Sequence, residues 1–377
     1  MSDVRTGSGV STRAPAAQPP SEGPPAVRPG ARAVLVRFLT LREGSIVVVT
    51  LLAAAYFAVK TDRFLTQDNF ETLLPYFAPF AILAAGEVLL MVAGEIDLSI
   101  GSVYLFAPFM FYEFNQAGIG LVGCLILALL CCAVVGIING VLTEIFGVSS
   151  FITTLGMLLG LAGLTLIISH AAPVAMPGAE VTTKTIQVTR VVNGQEITLP
   201  EKVNEIGTFA NIFGGGVYSE LIWALVIVVF VQVLLNLTRW GMYTIAVGGN
   251  KLGAAEAGIN VRLTVIRNFV VCSLFAGFVG VLEATRASSV TPDTAGASET
   301  MFRAVSAAVI GGTLLAGGEG TAVGALFGAL FLGILRDGLT LEGVNADYLD
   351  FILGVAILGA MVINVYVGRV RKGSGRG

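Results

Sequence analysis

Long apolar runs dominate the chain, and polar residues gather in short stretches between them. A helix needs about 20 residues to cross the hydrocarbon core of a bilayer. Ten runs near that length are legible, over 45–60, 73–93, 99–115, 119–142, 150–170, 219–237, 264–285, 303–318, 321–341 and 350–367. The run 303–318 is short and glycine-rich, so a partly broken or re-entrant segment is expected there, which a membrane tolerates only where protein or water covers the backbone. The first run reads as a span and not as a cleaved signal peptide, because a long tail precedes it and no clear cleavage site follows. The pattern predicts a transmembrane domain over 44–368 and a short basic tail over 369–377.

The polar stretches differ in character. Residues 1–32 hold six of the 13 prolines among Ser, Gly, Ala and Arg, a composition that cannot bury enough apolar area to order itself. With 33–43 (AVLVRFLTLRE), which reads as a short helix on the membrane surface, they form a tail over 1–43 expected to be disordered apart from that helix. The connection 171–218 contains TIQVTRVVNGQEITLP, where Asn193-Gly194 between alternating apolar residues predicts a β-hairpin. The connection 238–263 contains GGNKLGAAEAGINVR, glycine-rich at its ends and alanine-rich between, which predicts a short surface helix with a polar rim.

Composition narrows the class. The chain is 55% hydrophobic and 12% charged, against about 45–50% and about 25% in ordinary soluble domains. A soluble enzyme, a disordered regulator and a nucleic-acid binder are excluded, the last also because a net charge of −3 gives no basic footprint. An all-α polytopic membrane protein remains. Ten spans put both termini on one side, together with the 238–263 loop, and that side then carries 14 of the 22 Lys and Arg residues. Both termini are therefore predicted to be cytoplasmic.

Chemistry is sparse. The one histidine, His170, is too little for a metal site or a catalytic triad, and Cys124, Cys131, Cys132 and Cys272 all lie in apolar runs. No Gly-Lys dipeptide occurs, so there is no phosphate-binding Walker loop; any ATP and Mg belong to another chain, and no cofactor is expected on this one. Charges in or beside the spans are few: Glu87, Glu95, Asp97, Glu144, Glu283, Arg286, Glu299, Arg303, Arg336 and Asp337. Such groups are costly unless paired or wetted. Glu87, well inside its span, is expected to face a bundle interior or a water-filled path. No row of acids suggests a proton relay, and no Arg-rich helix suggests a voltage sensor. Among 47 glycines, Gly156 and Gly160, and Gly320, Gly324 and Gly328, recur at the four-residue spacing that lets helices approach closely, so helix packing is expected at all five.

Four motifs occur in order: GEIDLSIGS at 94–102, GIINGVLTEIFGVSSFITTL at 136–155, GGNKLGAAEAGINV at 248–261, and PDTAGASETMFRAVSAAVIGGTLLAGGEGTAVG at 292–324. Together they resemble the permease subunits of bacterial sugar ABC importers of the ribose-permease type, over about residues 45–367. Asp97-Leu98-Ser99 matches the sugar type, where the related branched-chain amino-acid permeases usually carry an Asn-Leu-Ala sequence. The chain departs from the resemblance at Glu95, where Gly is commoner, at Glu87, usually apolar, at Asp337-Gly338, where Asn-Gly is frequent, and in the longer 171–218 insert.

The resemblance implies a type II importer permease of the bacterial plasma membrane. It would dimerise around a central pathway, dock an ABC ATPase pair on its cytoplasmic face and receive sugar from a periplasmic or extracellular binding protein. Its 238–263 loop would seat in the ATPase through Gly249, Asn250, Lys251, Ala254, Ala255, Gly258 and Asn260. The substrate pathway is sought at Glu87, Asp97, Ser99, Asn139, Ser150, Phe151 and Thr154, several of which serve equally as helix caps or bridges. A nucleoside, inositol or amino-acid permease is the alternative within the class. An ion-coupled secondary transporter would need inverted halves, which are not evident, and a lipid-processing enzyme would need clustered catalytic groups.

Overall fold

The computed structural model describes residues 43–192 and 195–374. In chain order the elements are α1 (Gly44–Lys60), α2 (Gln67–Val92), α3 (Ile100–Gln116), α4 (Leu121–Glu144), α5 (Ser150–Ile168), β1 (Val174–Ala175), β2 (Val181–Val192), β3 (Gln195–Ile206), α6 (Thr208–Ile212), α7 (Ser219–Leu237), α8 (Arg239–Gly249), α9 (Lys251–Glu256), α10 (Val261–Ala287), β4 (Ser289–Val290), α11 (Thr294–Ile310), α12 (Ala322–Leu341) and α13 (Ala346–Ser374).

The bundle is built around α2. Every residue of it from Ala81 to Val92 is buried, which is the burial expected of a helix that is apolar all round. It packs against α7, α10, α11 and α12. A second layer forms where α10 meets α3 and α4, and there glycines set the spacing. A side chain at Gly136 or Gly140 of α4 would lie 2.7–2.8 Å from backbone atoms of Phe269, Val270 and Ile266 on α10. The outer faces of α4, α5 and α7 remain apolar and exposed, as in Ile126, Leu130 and Val134 on successive turns of α4. Stripes of this kind are what lipid or another protein surface covers.

Among the described residues, six helices are long and apolar enough to cross a membrane: α2, α4, α5, α7, α10 and α12. Every expected span coincides with a helix except at 303–318. There α11 begins nine residues early, where Asp293 Oδ1 accepts the Gly296 N–H at 3.0 Å, and it stops at Ile310. The chain from 311 to 321 is not helical, because Gly312, Gly317 and Gly318 take the left-handed φ values of 97°, 84° and 78°.

The all-α expectation needs correction outside the bundle. β2 and β3 pair antiparallel from Val181↔Ile206 to Val192↔Gln195, on either side of Asn193-Gly194, which themselves lie outside the described residues. β1 pairs with β4 and ties the chain leaving α5 to the α10–α11 link. The loop 238–263 holds two helices, α8 and α9, instead of one. The tail and surface helix expected over 1–43 fall, up to residue 42, outside the described residues, and α13 continues through the start of the basic tail.

Candidate functional site

The four motifs meet at one end of the bundle. The α2–α3 turn is held by its own side chains: Asp97 Oδ1 accepts the Ser99 backbone N–H at 2.8 Å and its hydroxyl at 2.5 Å. Asn139 of α4 donates to Ser99 Oγ at 2.9 Å and more weakly to Asp97 Oδ2 at 3.5 Å. From α5, Thr154 Oγ1 accepts the Leu98 N–H at 3.0 Å and Ser150 Oγ accepts the Ile96 N–H at 3.4 Å. The structure thus brings together Asp97, Ser99, Asn139, Ser150 and Thr154, all buried. Glu87 is fully buried nearby; its Oε1 accepts from the Cys272 thiol at 3.8 Å and its Oε2 has no hydrogen-bond partner. Phe151 is exposed on the outer face of α5 and takes no part, because one residue along a helix turns the side chain about 100° away from Ser150.

The α8–α9 segment packs under this turn. Lys251 Nζ sits 3.1 Å from Glu95 Oε1 and 2.6 Å from Glu144 Oε1, clamping α9 to the α2–α3 turn and to the end of α4. Burial works against the Lys251 charge, but Glu144 and Glu95 outweigh it and hold its pKa above the usual lysine value. Asn250 Oδ1 accepts the Gly253 N–H and so caps α9, while Asn260 Oδ1 accepts the Leu263 N–H and caps α10, both at 3.0 Å. Gly258, at φ 83°, ends α9: its N–H bonds Ala255 O, and the Ile259 N–H bonds Ala254 O. That pair of bonds needs a left-handed residue, which glycine supplies without a Cβ penalty.

Of the seven residues expected to face the ATPase, Asn250, Asn260 and Gly258 therefore shape the segment, Lys251 turns back to acids of its own chain, and Ala254 is buried. Ala255 and Gly249 are exposed. Leu252, which sequence reasoning passed over, is the large apolar group α9 presents, 78% exposed. Asn268 was also missed. It is buried in α10, accepts from Trp240 Nε1 at 2.8 Å and donates to Leu89 O at 3.1 Å, joining α8, α10 and α2.

Glycine contacts complete the junction. The Gly318 N–H bonds Val92 O at 2.8 Å, and a side chain at Gly317 would lie 2.8 Å from Gly248 O and 3.0 Å from Gly94 Cα. First, third and fourth motifs touch backbone to backbone there. Side chains at Gly324 and Gly328 would collide with the carbonyls of Gly311, just past α11, and of Ala307 on α11, and one at Gly320 with Val92 and Thr313. Gly156 and Gly160 differ: both are exposed on α5, and among the described residues nothing lies within 4 Å of a side chain placed there.

The remaining charges pair at the opposite end. Arg286 binds Glu220 at 3.0 Å and Glu283 at 2.6 Å. Arg303 contacts Glu299, with Arg336 3.6 Å from the same carboxylate, and Asn69 donates to Asp337 at 2.9 Å.

A sheathed central helix, apolar outer faces and charges paired at both ends define a multi-pass membrane protein. The chain belongs to the family described as the branched-chain amino acid transport system / permease component, whose model matches residues 69–361. The xylose/arabinose import permease protein of Sulfolobus acidocaldarius is 31% identical over 334 residues, covering 87% of this chain and 86% of that protein. The ribose import permease protein of Escherichia coli K12 is 31% identical over 325 residues, 86% of this chain and 94% of its own. The galactose/methyl galactoside import permease protein of the same organism is 29% identical over 343 residues, 87% and 95% of the two chains. No solved structure matches the chain.

Proposed function

We propose that this chain is the membrane-spanning permease subunit of an ATP-driven, binding-protein-dependent importer of a monosaccharide such as ribose, xylose or galactose. The observation that carries the proposal is the convergence of all four motifs on the α8–α9 segment, together with near full-length similarity to three sugar import permeases. On this reading ATP and Mg sit on a partner ABC ATPase, and α8–α9 is the element that receives its movement. Small exposed residues and a capped, glycine-terminated helix suit a rigid knob that seats in a partner's groove and passes a rigid-body shift to the bundle. The α2–α3 turn, through Lys251 and the Asp97–Ser99–Asn139 bonds, relays that shift to α2, α4 and α5.

The finer topology is part of the proposal: ten membrane-crossing segments, both termini cytoplasmic in a plasma membrane, the β2–β3 hairpin outside and a second permease copy across a shared pathway. The positive-inside count supports that orientation.

The test is reconstitution of the chain with its ATPase in liposomes, with binding protein and labelled sugars outside and ATP trapped within. ATP-dependent uptake of a monosaccharide is expected. Ion-driven uptake by this chain alone would sink the importer reading. Because the family description names amino acids, leucine is included as cargo, and its uptake in place of sugar would overturn the monosaccharide assignment.

A further inference from the structure

We infer that the cavity at the end of the bundle opposite α9 is a sugar-binding station, in which the Glu299–Arg303–Arg336 cluster reads hydroxyl groups beside the aromatic faces of Phe80 and Tyr104. The inference rests on the permease reading and gives that reading a substrate site.

The cavity has a volume of about 330 Å³, in the range typical of small-molecule sites. It lies between α2, α3, α10, β4 and the first turns of α11, with Arg336 reaching it from α12. Glu283, which lines it, is about 33 Å along α10 from Val261. The cavity is thus separated from α9 by roughly the thickness of a membrane core, and on the proposed topology it opens toward the face where a binding protein would release its cargo. A second cavity of about 350 Å³ shares Phe80, Glu299, Arg303 and Arg336. The ionic cluster is the partition between the two spaces.

The chemistry of that partition favours a neutral polyol. The guanidinium of Arg303 lies 5.6 Å from the Phe80 ring centre, and that of Arg336 lies 5.6 Å from the Tyr76 ring centre. Stacked in this way, their planar donor forks stay oriented. Arg336 Nη1 is buried without a hydrogen bond and stands 3.6 Å from Glu299, too far to satisfy it. Glu299 is half exposed toward the cavity, so the pair is open to solvent or ligand, while the buried Nη1 itself still lacks a partner, and unmet buried donors are costly. A bound hydroxyl would satisfy the donor and could donate in turn to Glu299. The lining charges are Glu283, Asp293, Glu299, Arg303 and Arg336, so both signs are present and the arginines already face carboxylates. Both arginines face Glu299 and Asp293 is engaged in capping α11, so no free cation is left to select an anion, while ring faces match the C–H faces of a pyranose or furanose.

The experiment compares wild type, Arg336→Gln and Phe80→Ala in the reconstituted importer, with D-xylose, D-ribose and D-galactose as cargo. Each variant is expected to lose uptake at least tenfold while still co-purifying with the ATPase. Full uptake by both overturns the site and leaves the permease assignment standing; no sugar uptake by wild type removes the assignment itself. Where a variant fails to assemble, Thr300→Cys in the otherwise native chain decides. Labelling of that cysteine by a water-soluble maleimide, above the native-cysteine background, should slow at least threefold with millimolar D-xylose, D-ribose or D-galactose. Equal rates with and without all three sugars overturn the proposal.

Discussion

At the scale of single residues, the polar atoms of this protein are spent on joining helix ends. Asn139, Ser99 and Asp97 form one buried set, and Lys251 gathers two acids that lie far apart in sequence. The Lys251 clamp makes a prediction with a definite sign. A lysine whose folded pKa is raised contributes stability that is fully present below its unfolded value of about 10.4 and is lost as pH rises through the higher folded value. Melting followed by intrinsic fluorescence in detergent should therefore be less steep in pH above about 10 for Lys251→Met than for wild type. Lys251→Met should also melt lower at neutral pH, where Glu95 and Glu144 face each other unpaired. Identical melting curves across the range would show that the clamp contributes nothing. Lys251 and Glu144 were both visible in the sequence as charges beside spans, but their partnership was not, because 107 residues separate them.

At the scale of elements, α9 and the α11–α12 contact carry opposite lessons. α9 is six residues long, capped by Asn250 and closed by Gly258, so its shape is set locally. Its exposed face, Leu252 and Ala255, is free to meet a partner. Leu252→Asp combined with Ala255→Trp should abolish co-purification with the ATPase while leaving the melting temperature of the isolated permease within a degree or two. Ala254 is the wrong probe, because a bulky residue there enters the core.

Between α11 and α12 the glycine spacing predicted packing, and the backbones do touch at Gly324 and Gly328. Gly328→Val should destabilise the fold by at least about 1–3 kcal/mol, the usual cost of overpacking, read as a lowered melting temperature. Gly156→Val on α5 meets open space and should leave the isolated chain nearly unchanged. The two patterns are indistinguishable as sequence. A spacing of four places glycines on one face of a helix but does not say whether another helix of the same chain covers that face.

At the scale of the whole molecule, orientation is the property to test. Single cysteines at Leu252 in α9 and at Thr183 in β2 should label from opposite sides of intact cells, the α9 position only after permeabilisation. Labelling of both from one side would overturn the proposed topology. The sequence alone was sufficient for the class and for where most helices of the bundle lie, because apolar runs, caps and turn glycines act over a few residues and leave their signature in the local pattern, but it read one helix where the 238–263 loop holds two. It placed the start of α11 nine residues late, since the polar run up to Glu299 does not look like part of a span. What only the tertiary structure decided is which distant residues share a space. The meeting of four motifs around the α8–α9 segment, the inward turn of Lys251 and the arginine-lined cavity at the far end all depend on contacts between segments tens to hundreds of residues apart. Their geometry is set by how closely the helices pack, which no local pattern of hydrophobic and polar positions records.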